Sequence, residues 1–311
     1  MRPSVLVSSA LALLVAGCAS QVARRSEPSR PQLQSLPQSI AIDGGEEADG
    51  APYFTVGEPT SSLAPDGGPR GLMLVIHGGG WQSRGERSVD EPRNRAEADR
   101  WRARGWRTIA ISFRSSSEGP PEVWPFYPIG QVLPTVPGSA RRSIDDVVWF
   151  HDRIREWQGS ALPMCATGWS SGGHLALLLA AERPDLDCVV ALAAPTDLPA
   201  LFAAWTDGGR AAAFAFGAQA ASTSGNGLSP VDVAGQIRAR LLLATAANDS
   251  WVPPSQMDAL RAALERSGSP APIETLELEP GRQLFWHGHV SPRALAELQA
   301  AEDKLAREVG R

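Results

Sequence analysis

The sequence has few residues of several kinds, and each scarcity excludes a class of protein. Its 311 residues include three cysteines, too few for the disulfide framework of a small secreted domain. No long run of one charge sign occurs, and 29 basic against 34 acidic residues give a net charge of -5. A nucleic-acid-binding protein needs a concentrated positive face, so no nucleic-acid partner is expected. Glycine and proline recur without a period, which excludes collagen-like and repeat architectures.

The N-terminal apolar run, Val5 to Ala16, is too short to cross a bilayer about 30 Å thick as a helix. It follows one positive charge and precedes Val15-Ala16-Gly17-Cys18, which resembles the bacterial lipobox. In that motif a peptidase cuts before a lipidated cysteine, and acyl chains on Cys18 would anchor the protein to a membrane. The competing interpretation is a soluble secreted protein in which Cys18 is incidental.

These features predict three segments. Residues 1–17 are expected to be a lipoprotein signal peptide, and residues 18–50 a flexible tether, because they are polar and have few large apolar side chains. Residues 51–311 are expected to form one folded catalytic domain. The predicted location is the cell envelope. If the host is Gram-negative, the residues after Cys18 favour the periplasmic side of the outer membrane.

The folded part alternates short apolar runs with segments of helical spacing, of which residues 143–157 give the clearest helix. This alternation predicts an α/β protein with a mostly parallel central sheet and helices on both faces. Cys165 and Cys188 each stand near the start of a predicted strand. They would pair in an oxidising envelope if those strands were neighbours, and otherwise they are small buried side chains. The predicted strands are Tyr53 to Val56, Leu72 to Ile76, Arg107 to Ser112, Met164 to Gly168, Cys188 to Ala193, Leu241 to Ala246 and Ile273 to Leu278.

Gly168 to Gly172 reads GWSSG, a G-x-S-x-G motif between a predicted strand and a predicted helix. Serine is a weak nucleophile until a strained, exposed turn holds it beside a base, and the flanking glycines permit that turn. Ser170 is therefore the candidate nucleophile. Ser171 is a poor rival, because Trp169 lies two positions before it, where the turn needs a small residue.

His77 to Trp81 reads HGGGW and follows the strand Leu72 to Ile76. Three consecutive glycines leave backbone N–H groups uncovered, which suits a loop that donates hydrogen bonds to a developing oxyanion. A tight turn alone would need only one or two glycines. His77 itself is expected to pack or to bond beneath the loop.

Asp249 follows the strand Leu241 to Ala246, at the edge of a parallel sheet where ligands bind. It could instead cap a turn, and Asp197 is the competing acid. Asp249 is favoured because a histidine segment follows on the next strand and loop. Of the five histidines, His287 and His289 are the candidate bases. His287 is favoured because a glycine follows it, with His289 as the alternative.

Together these motifs resemble the α/β-hydrolase superfamily. They are most similar to the serine esterases with an HGGG-type oxyanion loop, including hormone-sensitive-lipase-like esterases, acetyl and feruloyl esterases and kynurenine formamidases. The order Ser, Asp, His along the chain matches that superfamily. The resemblance implies that Ser170 is the nucleophile, His287 the base and Asp249 the residue that orients it. It implies an oxyanion hole made by the N–H groups of Gly79, Gly80 and Ser171.

The implied activity is hydrolysis of small carboxylic esters through an acyl-enzyme, with no metal or organic cofactor. Amide hydrolysis, or a non-catalytic binding lipoprotein with the same fold, are the alternatives. Trp81 and Trp251 are candidate substrate-binding residues on an aromatic wall, or else they pack beneath the site. Trp169 is expected to pack. Residues 115–137 resemble an insertion near the site, and residues 198–216 either a small cap or an ordinary crossover.

Overall fold

The computed structural model describes residues 53–60, 67–81, 86–114, 139–159, 161–204, 225 and 227–309. These residues belong to one compact unit, Leu33–Arg311. The predicted signal peptide, Cys18 and the tether lie outside the described residues, as do the predicted insertion and most of the predicted cap. Along the described ranges, no helix is both long enough and apolar enough to span a bilayer.

Seven strands form the central sheet in the order β1-β3-β2-β4-β5-β6-β7, and all neighbours are parallel except β1 against β3. Strands β2, β4 and β5 are buried along their whole length, because helices cover both faces of the sheet. The bounds are β1 Tyr53–Gly57, β2 Leu72–Ile76, β3 Arg107–Ser112, β4 Met164–Trp169, β5 Cys188–Leu192, β6 Arg240–Ala246 and β7 Ile273–Leu278.

Helices lie on both faces of the sheet, and successive strand residues alternate between two apolar clusters. Leu74 and Ile76 pack with α3, α4 and α6, whereas Met73 and Val75 pack with α2 and α7. The predicted α/β class, with a mostly parallel sheet and helices on both faces, is thus confirmed. The helices are α1 Glu86–Val89, α2 Pro92–Ala103, α3 Ser139–Gln158, α4 Ser171–Glu182, α5 Leu198–Ala204, α6 Ser255–Ser267 and α7 Pro292–Val309.

Helix α2 is absent from the sequence-based prediction because its inward face is not apolar. The buried residues of this helix are Asn94, Glu97 and Trp101, two of which are polar. Apolar residues do not recur at helical spacing along this segment, so the sequence gives no signal for an amphipathic helix. The helix is held instead by specific polar contacts, which are described with the site below.

A two-stranded hairpin, β8 Pro280–Phe285 and β9 Gly288–Val290, follows β7 and was also not predicted. It is separate from the central sheet. The pairing of Phe285 with Gly288 leaves Trp286 and His287 as the two residues of its turn. His287 therefore lies in a tight turn, which fixes its backbone.

Cys165 and Cys188 stand directly opposite each other on β4 and β5 and form a disulfide bond, with 4.6 Å between their Cα atoms. Both side chains are fully buried. The sequence alone left the pairing of these two cysteines open, because it depended on which strands are neighbours. The strand order places β4 beside β5, and the cysteines pair.

Candidate active site

Ser170 lies at the turn between β4 and α4 with φ 51° and ψ -124°. A positive φ is strained for a residue with a side chain, and such strain is concentrated at functional sites. The Ser170 N–H donates to the Leu192 carbonyl of β5, which fixes the turn against the sheet. The serine is 9% exposed at the carboxyl edge of the sheet. This geometry is that of a nucleophile elbow.

The glycines of the elbow permit contacts that no side chain would allow. A Cβ atom on Gly172 would lie 2.1 Å from the Ile76 carbonyl oxygen and 2.5 Å from that of His77. A Cβ atom on Gly168 would lie 2.5 Å from the carbonyl carbon of Gly172. The first turn of α4 therefore rests directly on the end of β2, and this contact brings the elbow to the glycine loop.

The glycine loop after β2 uses backbone conformations that favour glycine, with φ 117° at Gly79 and 66° at Gly80. In the turns and loops of the described residues, the N–H groups of Gly79 and Gly80 donate no hydrogen bond to a backbone carbonyl. Ser171 opens α4, where the first N–H groups have no acceptor within the helix. The three predicted oxyanion-hole residues thus lie in the two segments that Gly172 holds together.

Asp249 follows β6 in a tight turn, and its side chain is fully buried. Its Oδ1 accepts hydrogen bonds from the N–H groups of Trp251 and Val252, both at 2.9 Å. Its Oδ2 faces the Nδ1 atom of His287 at 3.3 Å. One oxygen therefore fixes the carboxylate to its own loop, and the other is left to orient the imidazole.

The hairpin places His287 against this carboxylate because Gly288 allows a close approach. A Cβ atom on Gly288 would lie 2.7 Å from both the Ala246 Cβ and the Asn248 Oδ1. The N–H of His289 donates to the same Asn248 oxygen at 3.0 Å. Asn248, next to Asp249, thus holds the hairpin at the two residues that directly follow His287.

His289 and Asp197, the two alternative candidates, lie elsewhere. His289 is on β9 opposite Leu284, and it is exposed. Asp197 accepts a hydrogen bond from the Ala200 N–H at 3.1 Å and so caps the start of α5. The structure joins His287 to Asp249, and it gives Asp197 a local role in a helix cap.

No hydrogen bond joins Ser170 to His287 among the described residues. The ring of Trp169, adjacent to the serine, lies 6.2 Å from the His287 ring, centroid to centroid. Catalytic hydrogen bonds are often long in proteins without substrate and shorten when it binds. Ser170 and the His287–Asp249 pair follow strands that end at the same edge of the sheet, and acyl transfer uses a hydroxyl, an imidazole and a carboxylate.

Trp81, a predicted substrate-binding residue, is a core residue, and that prediction is wrong. The indole is 1% exposed, and its N–H donates to Nδ1 of the buried His174 at 3.1 Å. The second ring nitrogen of His174 lies 2.8 Å from the Leu228 carbonyl, so it carries the proton. The histidine bridges the glycine loop and the segment after α5. A buried indole with its N–H satisfied has no face left for a substrate.

Trp251 has a different environment. It is half-buried, and its ring stacks on His287 with a centroid separation of 6.0 Å and an interplanar angle of 27°. The Trp251 ring therefore covers one face of the His287 imidazole. Trp169 packs as predicted, with 6% of its surface exposed.

Two further histidines near the glycine loop are electrically neutral. Burial lowers the pKa of His77 to about 4, partly opposed by a hydrogen bond to the Gly78 carbonyl. Burial likewise lowers the pKa of His174 to about 4 against its bond to Leu228. His77 lies flat on Phe113 with 4.3 Å between ring centroids, in agreement with its predicted packing role. Neither imidazole has the exposure that proton transfer to a substrate requires.

Helix α2 supplies two supporting residues that the sequence analysis missed. Asn94 Oδ1 accepts from the indole N–H of Trp169 at 3.0 Å. Glu97 accepts at one oxygen from the Thr167 hydroxyl at 2.9 Å and from the Trp101 indole N–H at 3.1 Å. Both hold the last residues of β4. An Asn and a Glu three residues apart carry no sequence pattern that indicates this role, because their partners lie on a distant strand.

No group of three or more His, Cys, Asp or Glu side chains is arranged to hold a metal ion within the described ranges.

Comparisons with known proteins show what the chain is similar to. Residues 142–295, from α3 to the start of α7, match the model of the prolyl oligopeptidase family. The matched region contains Ser170, Asp249 and His287. No curated protein matches the chain by sequence.

Solved structures match most of the chain at low sequence identity. A puromycin hydrolase has a TM-score of 0.61 and 17% identity, over 88% of this chain and 39% of its own. The Pyrococcus horikoshii acylaminoacyl peptidase has a TM-score of 0.58 and 15% identity, over 88% and 41%. A dienelactone hydrolase from Anabaena variabilis has a TM-score of 0.55 and 18% identity, over 88% and 99%.

The chain thus spans about two fifths of the two peptidases that it matches, but nearly all of the dienelactone hydrolase. The narrower resemblance to HGGG-type esterases stays a prediction. The sheet, the elbow and these matches together establish that the chain has an α/β-hydrolase fold.

Proposed function

We propose that this protein is a serine hydrolase that cleaves small carboxylic esters through an acyl-enzyme intermediate. The observation that carries the proposal is the strained Ser170 at the elbow, together with the Asp249–His287 contact across the same edge. Ser170 attacks the ester carbonyl while His287 takes its proton, and the alcohol leaves with that proton. Water activated by His287 then releases the acid and restores the serine.

The N–H groups of Gly79, Gly80 and Ser171 are proposed to bind the oxyanion that forms in both steps. They lie in two segments that are already packed together, so they need no rearrangement as charge develops. The loss of one such donor typically costs about 2.7 to 4 kcal/mol of transition-state stabilisation.

Cleavage of an amide or peptide bond is the second candidate, and the match to the prolyl oligopeptidase family favours it. The same serine, histidine and carboxylate serve both reactions, and the leaving group differs. Rates for p-nitrophenyl acetate, N-formylkynurenine and an aminoacyl anilide would separate the candidates. A rate for the anilide or the formamide above that for the acetate would overturn the ester assignment.

The test of the nucleophile is labelling of the folded protein by a fluorophosphonate, located by mass spectrometry. We expect the label on Ser170, and we expect Ser170→Ala to lose both the label and ester cleavage. Folded protein that takes up no label and cleaves no substrate would support a binding protein instead.

We further propose that the protein is anchored at the cell envelope through lipid on Cys18. The disulfide between Cys165 and Cys188 supports an oxidising compartment, because such bonds are rare in the cytosol. The mass of the mature N-terminal peptide tests the anchor. We expect acyl chains on Cys18 and release of the Cys18→Ala variant from membranes. An unmodified Cys18 would refute the proposal.

A further inference from the structure

Two tryptophans stand directly before the proposed nucleophile and the proposed base. Trp169 ends β4 before Ser170, and Trp286 precedes His287 in the turn of the hairpin. Their indole rings stack face to face, with 4.5 Å between centroids and an interplanar angle of 6°. The contact joins the two segments, far apart in sequence, that carry the reacting groups.

We propose that the stack of Trp169 and Trp286 is a positioning device that sets the separation between the Ser170 hydroxyl and the His287 imidazole. The inference rests on the proposed function, because it assigns a role toward that reaction. The two tryptophans are positioning residues, since they act through their neighbours in the chain.

Trp169 is the fixed half of the stack. Its indole N–H donates to Asn94, and 6% of its surface is exposed. Gly78 packs against its ring so closely that a Cβ atom there would lie 2.6 Å from the indole. Neither the ring nor the backbone beside Ser170 can shift without disturbing the glycine loop and α2.

Trp286 is the half that needs support. A two-stranded hairpin is at best marginally stable by itself, and five consecutive residues of β8 are exposed. The backbone at Trp286 has φ 52°, a strained value for a residue with a side chain. Stacking on Trp169 compensates for this strain and holds the turn in place.

Trp286 makes its contacts through the face of its indole ring. Its buried N–H has no hydrogen-bond partner among the described residues, so hydrogen bonding does not explain why an indole stands there. The guanidinium of Arg93 lies 5.7 Å from the Trp169 ring centroid and 5.9 Å from that of Trp286. A ring that stacks should therefore replace Trp286, whereas an aliphatic side chain of similar size should not.

The experiment compares Trp286→Leu and Trp286→Met with Trp286→Phe. Trp149→Leu is the matched control, because Trp149 is also half-buried and lies under an arginine, Arg153 at 5.6 Å, but belongs to α3. The readouts are kcat and KM for p-nitrophenyl acetate, the rate of fluorophosphonate labelling, and the circular dichroism of coupled indoles. Thermal unfolding shows that each variant is folded.

A shift of about 1 Å between reacting groups can cost 10²-fold in rate, so we expect Trp286→Leu and Trp286→Met to lower kcat by about that factor. KM should change little, since neither ring is proposed to bind substrate. Trp286→Phe should recover most of kcat, and Trp149→Leu should match the wild type. The contribution of the Trp169–Trp286 pair to the coupled-indole signal should be lost in all three Trp286 variants and persist in Trp149→Leu, whereas the contribution of the Trp101–Trp106 pair should remain in every variant.

Two results overturn the inference while leaving the proposed function intact. One is an active wild type whose kcat is unchanged in folded Trp286→Leu or Trp286→Met. The other is Trp286→Phe being as slow as Trp286→Leu, since a ring that stacks would then not matter. A wild-type protein inert to ester and to fluorophosphonate would instead refute the proposed function, and this inference with it.

Discussion

Two regions at the same edge of the sheet contain imidazoles in contrasting surroundings. Beneath the glycine loop and the elbow, His77 and His174 are fully buried, and burial lowers the pKa of each to about 4. In the β8–β9 turn, His287 keeps 16% of its side chain exposed and faces the Asp249 carboxylate. The first region uses histidine to pack and to bridge. The second presents histidine to solvent and to an acid.

The difference teaches that the surroundings of a histidine, more than its distance from a motif, decide its chemistry. His77 begins the glycine motif and His174 lies two residues beyond the serine motif, yet desolvation keeps both neutral. His287 lies in a hairpin with no motif of its own, and it has the acid partner.

The largest effect is expected from the base itself. His287→Ala should lower kcat for p-nitrophenyl acetate by about 10⁴-fold, because proton transfer loses its only positioned imidazole. His289→Ala should leave the rate nearly unchanged, because that side chain is exposed on β9. Steady-state rates of the two purified variants test this. Retained activity in His287→Ala, or a comparable loss in His289→Ala, would reverse the assignment.

The buried imidazoles should make stability depend on pH. Their folded pKa of about 4 lies below the unfolded value of 6.5, so the unfolded chain binds more protons between these limits. Their stabilising contribution is complete above pH 6.5, and it falls by about 3 kcal/mol for each imidazole as the pH approaches 4. Denaturant unfolding at several pH values measures the loss.

Carboxylates titrate near the same range, so a variant isolates the imidazole. His174→Gln should be less stable at pH 7, with a smaller loss of unfolding free energy between pH 6.5 and 4 than the wild type. An identical pH dependence in both proteins would mean that His174 is not held neutral.

A smaller effect is expected at Trp81, where the structure corrected the sequence-based role. Trp81→Phe removes the donor to His174 and should lower the unfolding free energy by about 2 kcal/mol. KM for aryl esters should stay the same, because the ring is buried. A raised KM with unchanged stability would return Trp81 to the substrate site.

The smallest effect is expected at Arg93, which is exposed above the tryptophan stack. Cation–π contacts at exposed sites contribute about 0.5–1 kcal/mol, so Arg93→Gln should cost no more than that in stability. Rates should fall by no more than a few-fold. A loss as large as that of Trp286→Leu would mean that Arg93 contributes more to the hairpin's position than the stack does.

Much of the fold was predictable because local patterns carry it. The predicted bounds of the strand Leu72–Ile76 agree with the structure, and those of Met164–Trp169 differ by one residue. Both strands are recognisable because a strand buried on both faces is apolar throughout. The elbow at Ser170 was predictable because its glycines and serine are adjacent in sequence.

The rest depended on contacts between distant residues. Helix α2 faces the core with Asn94 and Glu97, whose partners are on β4, so no apolar stripe marks it. The hairpin contains few buried residues, and its position depends on Asn248 and Trp169. Trp81 and Trp251 are indistinguishable as residues beside motifs, and only packing separates the buried ring from the one beside the base.

By itself the sequence determined the α/β class and the candidate nucleophile, because both follow from side-chain periodicity and from short runs of adjacent residues. The tertiary structure alone decided three matters. It paired His287 with Asp249, and it joined Cys165 to Cys188. It also placed the tryptophans, because Trp81 is buried in the core and Trp286 stacks on Trp169. Each of these depends on which elements become neighbours, and that is set by the packing of the whole sheet.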